Sequence, residues 1–460
     1  MERGKIGRLK GLGLGLFGLL SLFSFQTLSW AQPSAEEIAS KAEAYVHLQN
    51  ELGRFSGAVL IGFKGKIIFE KAYGLANYEL QVPLSVRSKF RIGSLTKAFT
   101  AAAILQLAEK GLLQVEDPVP RFWPDYPSGE KITLHHLLTH TSGIPNFTSL
   151  PEYPKFKLNP TTLGRTIELF QKLPLQFEPG SRFAYSNSNY ILLTAIIEKV
   201  SGRSYADYMR EKIFLPLNML DTGYDDQNSI IKHRTLGYSL WDGDLINAPY
   251  IDMTVPAGAG GLLSTVEDLF AWDQALRSER LLNAASKQKM FTPFLGNYGY
   301  GWEIKPLQGK LGAQHSGGIE GFVSFFARWL DEDLCLIILS NFDFAPLSQI
   351  KDDLTAIIFG QPFSWPKLRK AVSLPPEILD RYCGDYEFAP NLLLRISREG
   401  NRFFGQVPGQ RRMEILAASE THFFGRLVEA ELTFVLDAEG KVVEAVLKQG
   451  GKELRGKKVR

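Results

Sequence analysis

Phe90-Arg91-Ile92-Gly93-Ser94-Leu95-Thr96-Lys97 is the stretch on which the reading of this chain turns. Before it, Ser88 to Ile92 has extended character. After it, Ala98, Ala101, Ile104, Leu105, Leu107 and Ala108 recur at helical spacing, and Gly111 can end the helix. Ser94 therefore sits where a strand turns into a helix, with its hydroxyl near free backbone N–H groups and the positive end of the helix dipole. A lysine three residues on shares that helix face one turn away, so its amine can take the hydroxyl proton. The pair alone proves little, because Ser-x-x-Lys occurs six times, starting at Ser94, Ser128, Ser229, Ser286, Ser348 and Ser364. An N-cap serine followed by a solvated lysine is the ordinary explanation of such a pair. Only Ser94 follows a strand-to-helix junction with a glycine immediately before it.

Two further motifs lie downstream. Tyr185-Ser186-Asn187 is the single Tyr-x-Asn of the chain, and His315-Ser316-Gly317 is the single His-x-Gly. Each alone is bland, since a Tyr and an Asn ahead of a helix usually mean a packed ring and a cap. With these motifs in this order after Ser94, the sequence resembles the penicillin-recognising serine hydrolases: class C β-lactamases, D-alanyl-D-alanine carboxypeptidases, D-amino-acid peptidases and related esterases. The resemblance runs from about Ser56 to Phe342 and includes Leu137-Leu138-Thr139-His140-Thr141-Ser142-Gly143 and Ala257-Gly258-Ala259-Gly260-Gly261.

The resemblance implies that Ser94 is the nucleophile and becomes acylated, that Lys97 is its general base, and that Tyr185 passes a proton to the leaving group. It implies that Asn187, His315, Ser316 and Gly317 bind substrate, with Asn187 also orienting Lys97. The backbone N–H groups of Ser94 and Gly318 would form the oxyanion hole. Where the β-lactamase pattern carries Lys at the start of the third motif, this chain has His315, which weakens the fixed charge available to a β-lactam carboxylate. The expected substrates are therefore small amides or esters, foremost D-amino-acid peptides of the carboxypeptidase or peptidase type. An esterase or weak β-lactamase is the alternative, and a non-turnover penicillin sensor or structural relative is the rival from another class.

Around these motifs the pattern predicts an α+β fold, an antiparallel sheet flanked by helices with a helical region in the middle, and the resemblance implies that this fold is β-lactamase/transpeptidase-like. Helices are expected over Ala35 to Glu51, Tyr190 to Val200, Val266 to Leu276 and Leu347 to Ile358. A hairpin is expected over Ser56 to Tyr73, and strands over Tyr300 to Ile304, Gly321 to Trp329 and Leu334 to Leu339. Pro362, Pro366, Pro375 and Pro376 mark a linker. Beyond it, short alternating runs at Leu392 to Ile396, Arg402 to Gln406, Leu432 to Leu436 and Val442 to Val446 predict a small all-β barrel that resembles a lipocalin-like domain. The expected division is a signal peptide over 1–31, a catalytic domain over 32–360, a linker over 361–376 and the barrel over 377–460.

With 45% hydrophobic and 12% aromatic residues, 460 residues can bury a large core. Arg3, Lys5, Arg8 and Lys10 precede a mostly apolar run from Gly11 to Leu28, and Ser29-Trp30-Ala31 offers small residues for cleavage. That is a secretory signal, which implies a periplasmic or secreted protein with no stable membrane span once it is removed. Anchoring by an uncleaved N-terminus is the alternative. Those four cations against Glu2 account for the whole net charge of +3, so the mature chain has no electrostatic footprint for nucleic acid. Its partner is expected to be a small-molecule or peptide substrate, and self-association stays open.

Cys335 and Cys383 exclude a disulfide scaffold. Cys335 lies in an apolar run and reads as an inert thiol, while a bridge between the two is left open. No cofactor and no metal site are expected. His136 and His140 have a metal-like spacing beside His135 but no acidic ligand with them. His140 reads instead as a hydrogen-bonding strut beneath the site, and the glycines at 258, 260 and 261 as a tight turn near the cleft.

Overall fold

The computed structural model describes residues 33–390, 392–410 and 412–459; the expected signal, residues 1–31, lies outside them. Helix α1 spans Ala35–Glu51 and is capped by Ser34, whose hydroxyl accepts from the Glu37 N–H at 3.1 Å. Strands β1 (Gly57–Phe63) and β2 (Lys66–Tyr73) form the expected hairpin. Its two turn residues, Lys64 and Gly65, are both left-handed, which matches the right-handed twist of the strands.

Next come α2 (Thr96–Glu109), α3 (Asn187–Ser201), the hairpin β3 (Tyr238–Trp241) and β4 (Asp244–Asn247), and α4 (Val266–Arg277). Strands β5 (Glu303–Leu307), β6 (Lys310–Ile319), β7 (Phe322–Trp329) and β8 (Leu334–Ser340) follow, then α5 (Leu347–Ile358). The six-stranded antiparallel sheet has the order β5-β6-β7-β8-β1-β2. Strand β5 begins at Glu303 rather than Tyr300, because Tyr300 is drawn inward to bond His135 at 2.8 Å. The segment carrying His315 is itself a strand, β6, which the sequence pattern did not reveal. Ser88 to Ile92 contributes only a two-residue strand, Phe90–Arg91, in a small three-stranded sheet.

The central strands are apolar without a break because both sheet faces are covered. In β8, Leu334, Leu336 and Ile338 join Tyr45 of α1 and Leu354 of α5 in one core. Cys335, Ile337 and Leu339 join Phe99 of α2 and Trp272 of α4 in the other. Alternate residues thus serve opposite cores, each buried side chain of this size stabilising by about 1.5–3 kcal/mol. Helix α2, which carries Lys97, is buried on nearly every face, as its all-round apolar sequence requires.

One buried charge cluster ties α4 to the sheet. Asp273 of α4 is fully buried and pairs with Arg277 at 2.7 Å and with Arg328 of β7 at 3.0 Å. Arg277 also donates to the carbonyls of Glu332 and Leu334 at 2.8 and 2.9 Å. Removing the anion leaves the buried Arg328 without its carboxylate, while Arg277 keeps Asp333 at 3.0 Å. Asp273→Ala is therefore expected to lower stability by about 3–5 kcal/mol in urea unfolding, well beyond the effect of a surface carboxylate.

Residues 361–375 are irregular, and the helix α6 (Pro376–Tyr382) follows them. Within the expected linker, Val372 already bonds the barrel, its N–H donating to the Ala417 carbonyl at 2.8 Å. The barrel is closed and has eight strands, against the four expected: β9 (Gly384–Ala389), β10 (Leu392–Glu399), β11 (Arg402–Gln406), β12 (Met413–Ala417), β13 (His422–Gly425), β14 (Ala430–Leu436), β15 (Val442–Gln449) and β16 (Lys452–Lys458). Pairing of β9 with β16 closes the circle and leaves no sheet edge. Its core is aromatic, with Tyr382 stacked on Phe434 at 4.4 Å.

Both cysteines are free, and burial raises the Cys335 thiol pKa, in keeping with an inert group. Among the described residues no helix is long and apolar enough to cross a membrane.

Candidate active site

Gly93–Leu95 forms a single tight turn that runs directly into α2, which lifts Ser94 to the start of a continuous helical segment. Gly93 has φ +49°, and a Cβ there would stand 2.8 Å from the Gly318 backbone nitrogen, so only glycine lets the turn lie against β6. Gly317 is equally confined, since a Cβ would come within 2.1 Å of the Ile92 carbonyl.

Lys97 is fully buried. Its Nζ lies 3.1 Å from Ser94 Oγ, 2.8 Å from Asn187 Oδ1 and 2.7 Å from the Ala259 carbonyl. Burial pushes its pKa well below that of a free lysine, because the ammonium form is costly in a dry site. A neutral amine has two N–H bonds and one lone pair. With Asn187 Oδ1 and the Ala259 carbonyl able only to accept, both hydrogens go to them and the lone pair is left for the Ser94 hydroxyl.

Tyr185 approaches the same oxygen from the other side, its hydroxyl 2.9 Å from Ser94 Oγ. Burial pushes the Tyr185 pKa up, so the phenol keeps its proton. The Tyr185 ring lies against His140 with centroids 4.3 Å apart. His140 Nδ1 accepts from the Ser186 N–H at 3.2 Å, which fixes the strand of chain carrying Tyr185. The strut expected at His140 is therefore present, and it holds a left-handed backbone conformation at φ +57°. Ser186, not Asn187, occupies the N-cap position of α3. Asn187 Oδ1 is spent on Lys97, while its Nδ2 donates to Thr148 Oγ1 at 3.3 Å.

His315 is placed differently from the expectation that it binds substrate. Along β6 the side chains alternate, so His315 points inward and is buried, while Ser316 and Gly318 are exposed. His315 Nδ1 donates to the Ser316 carbonyl at 2.7 Å, which leaves Nε2 to accept from Tyr298 at 2.9 Å. The ring touches the site only through Tyr298 and Tyr185. Burial, followed by the charge of Lys97, lowers its pKa to about 4.

That shift has a sign for stability. The unfolded histidine binds its proton near pH 6.5 and the folded one only near pH 4, so stability is lost as pH falls through that window. A shift of this size corresponds to about 3 kcal/mol. Urea midpoints at pH 7 and pH 4.5 are expected to separate further for the wild type than for His315→Asn.

The cleft in front of Ser94 has about 280 Å³ of free volume and is lined by Phe147, Tyr153, Asn187, Ile251, Ala259, Gly318 and Glu320 among others. Strand β5 pairs with β6 only over Lys310–Gln314, whereas β7 pairs over Gly312–Ile319. Among the described residues, the outer edge of 315–319 thus has no strand paired to it near Ser94. Glu320 ends this edge and forms an ion pair with Lys157 at 2.5 Å.

The structure therefore brings Ser94, Lys97, Tyr185, Asn187 and Gly318 together, keeps Gly317 as a packing point, and sets His315 behind the cleft. Thr148, Tyr153, Tyr298, Glu320 and the Ala259 carbonyl escaped the sequence reading. None belongs to a spaced motif, although the glycine-rich run at 257–261 marked the last. The other Ser-x-x-Lys pairs take no part: Ser128, Ser229, Ser348 and Ser364 are exposed, and the N–H of Ser286 is held by Asn283 in a separate helix. His136 is engaged with Thr133 in a capping box, and among the described residues no group of three or more His, Cys, Asp or Glu could hold a metal ion.

The sequence matches the beta-lactamase family over residues 41–358 and a domain of unknown function, DUF3471, over residues 368–458. A penicillin-binding protein of Bacillus subtilis (strain 168) is 33% identical over 433 residues, 88% of this chain and 95% of the relative. Among solved structures, the octameric penicillin-binding protein homologue from Pyrococcus abyssi is similar at TM-score 0.65 and 27% identity, over 90% of this chain and 99% of its own. A D-stereospecific amidohydrolase from Streptomyces sp. is similar at TM-score 0.60 and 26% identity, over 72% and 100%.

Proposed function

Because the chain belongs to the beta-lactamase family, whose match covers residues 41–358, we propose that it is a serine hydrolase working through an acyl-enzyme on Ser94. The observation that carries this is the double contact on one oxygen: Ser94 Oγ lies within hydrogen-bond reach of both Lys97 Nζ and Tyr185 Oη. Neutral Lys97 takes the Ser94 proton as Oγ bonds to the substrate carbonyl carbon. The resulting oxyanion lies between the backbone N–H groups of Ser94 and Gly318. Collapse breaks the bond to the leaving group, which receives a proton from Tyr185, and the proton held by Lys97 makes good that loss. Water then adds to the acyl carbon, and Ser94 leaves with a proton. Asn187 orients Lys97 and offers its amide to the substrate.

For substrate, we favour small amides and short esters of D-amino acids over C-terminal carboxylates and β-lactams. Among the described residues, Glu320 is the one charged side chain lining the cleft, and the cation near it, Lys157, is already paired. With His315 neutral behind the strand, no described residue lining the cleft offers a free cation to a substrate carboxylate. Similarity to a D-stereospecific amidohydrolase supports the same preference. The N-terminal segment adds export, with a mature chain starting near Gln32, a start that sequencing of the exported protein reads directly.

Intact mass after a fluorophosphonate or penicillin, followed by a panel of D-alanyl amides, D-alanyl-D-alanine peptides, a chromogenic cephalosporin and short esters, tests the reading. Amides and esters should rank first by kcat/KM. A lasting adduct with no turnover of any substrate would favour the penicillin sensor, and preference for free C-terminal carboxylates would overturn the substrate class.

A further inference from the structure

The hairpin β3–β4 links the two parts of the molecule. Its base is anchored on the catalytic body: the Tyr238 N–H donates to the Asn341 carbonyl at 2.9 Å, and the Ala248 N–H to the Gly237 carbonyl at 3.0 Å. Gly237 and Ala248 press on Gly321, the residue after Glu320, so closely that a Cβ at Gly321 would meet Ala248 at 2.5 Å. Three residues further along, Ile251 enters the cleft wall, and Pro256, Ala259 and Gly260 continue it.

In the outer half of the hairpin Leu240 is buried, but the rest is open. All four residues of β4 are exposed and Trp241 is 65% exposed. A two-stranded ribbon with so little buried surface is marginal by itself. What secures its tip is the barrel. Asp242 is gripped at both carboxylate oxygens by Arg412, at 2.6 and 2.7 Å. Arg402 donates to the Asp242 carbonyl at 2.7 Å and to Asp244 at 2.7 Å, and is itself held by Glu414 at 3.0 Å. Forked, bidentate contacts within a network are the surface ion pairs that hold a geometry, unlike isolated ones.

We propose that the barrel acts as a clamp on the cleft, with Arg402 and Arg412 as positioning residues that, through Asp242 and the β3–β4 hairpin, fix the cleft wall at Ile251 to Gly260 and the Glu320 turn. This gives the C-terminal domain a task in substrate binding while leaving Ser94, Lys97 and Tyr185 to α2 and α3. Loosening the clamp should therefore weaken substrate binding and leave the chemical step intact.

The test uses the full chain and the variants Asp242→Ala, Asp242→Asn, Arg412→Ala and the charge-swapped double variant Asp242→Arg/Arg412→Asp. Asp380→Ala, which breaks the Arg398–Asp380 pair (2.6 and 2.8 Å) away from the hairpin, is the control. Clamp variants should raise hydrogen–deuterium exchange across 247–260 about tenfold. They should raise KM for a D-alanyl amide about tenfold with kcat and the rate of fluorophosphonate labelling nearly unchanged. The charge swap sets an arginine beside Arg402 and an aspartate beside Glu399, so it should be as loose as the single variants. Asp242→Asn keeps the side-chain shape and reports even where the alanine variant fails to fold. Folded clamp variants with unchanged exchange and KM, or an equal effect from Asp380→Ala, would overturn the proposal. The KM readout rests on the hydrolase reading, whereas exchange tests the clamp even in a chain that turns nothing over.

Discussion

Ser94→Ala is expected to leave a folded protein that forms no covalent adduct with a fluorophosphonate or penicillin and has lost at least about ten-thousand-fold in kcat/KM. The size follows from the role, since loss of the nucleophile in a serine hydrolase removes nearly all catalysis beyond binding and oxyanion stabilisation. Folding should survive, because Ser94 is partly exposed and its hydroxyl bonds to the side chains of Lys97 and Tyr185 rather than to the backbone of the fold. Intact mass with and without probe checks the result, and equal labelling of the variant would remove Ser94 from the reaction.

The second large effect is expected at Lys97. Lys97→Met keeps an unbranched apolar stem in the pocket and removes the amine, so acylation should slow by about a thousandfold or more. Stability should change far less. The Asn187 and Ala259 oxygens each lose a donor, costing about 1–3 kcal/mol apiece, but the buried amine is no longer a burden. Lys97→Arg distinguishes a base from a fixed charge, because guanidinium stays protonated and cannot accept the serine proton. It should be as inactive as the methionine variant. In the wild type kcat/KM should fall with decreasing pH as Lys97 takes up a proton, at a pH well below the pKa of a free lysine. A pH–rate profile that is flat across the acid range, or an active arginine variant, would contradict the assignment.

The parts of the molecule that the sequence disclosed are those with a strong period or a sharp boundary. Helices at Ala35–Glu51 and Leu347–Ile358 form as the pattern predicted, bounded by Ser34 and Pro346. Ser94 was legible because a glycine, a change of period and a lysine coincide within a few residues. The strand holding His315 was hidden, since Lys310–Ile319 has no apolar alternation and becomes a strand through its neighbours. For the same reason the inward turn of the His315 ring could not be read from a motif.

Asn187 reads as a helix cap, but the helix begins on it and Ser186 takes the cap position, which leaves the Asn187 side chain free to reach Lys97. The Ala259 carbonyl carries no signature at all, since every residue has one. In the barrel, Lys452–Lys458 is largely charged and exposed, so only closure against β9 and β15 reveals it as a strand.

The order of the main sheet has a consequence for how the chain comes together. Strand β1 lies in the interior of the sheet, yet one of its two partners is β8: Gly57 pairs with Ser340 and Phe63 with Leu334. The strand made first thus waits for one of the last strands of the same unit, with the whole helical middle in between. Loop closure over such a distance is slow, and a growing chain keeps the apolar edge of β1 unsatisfied until β8 is made. A chain cut short before Leu334 would retain Ser94, Lys97 and Tyr185 and still have no finished floor on which to place them.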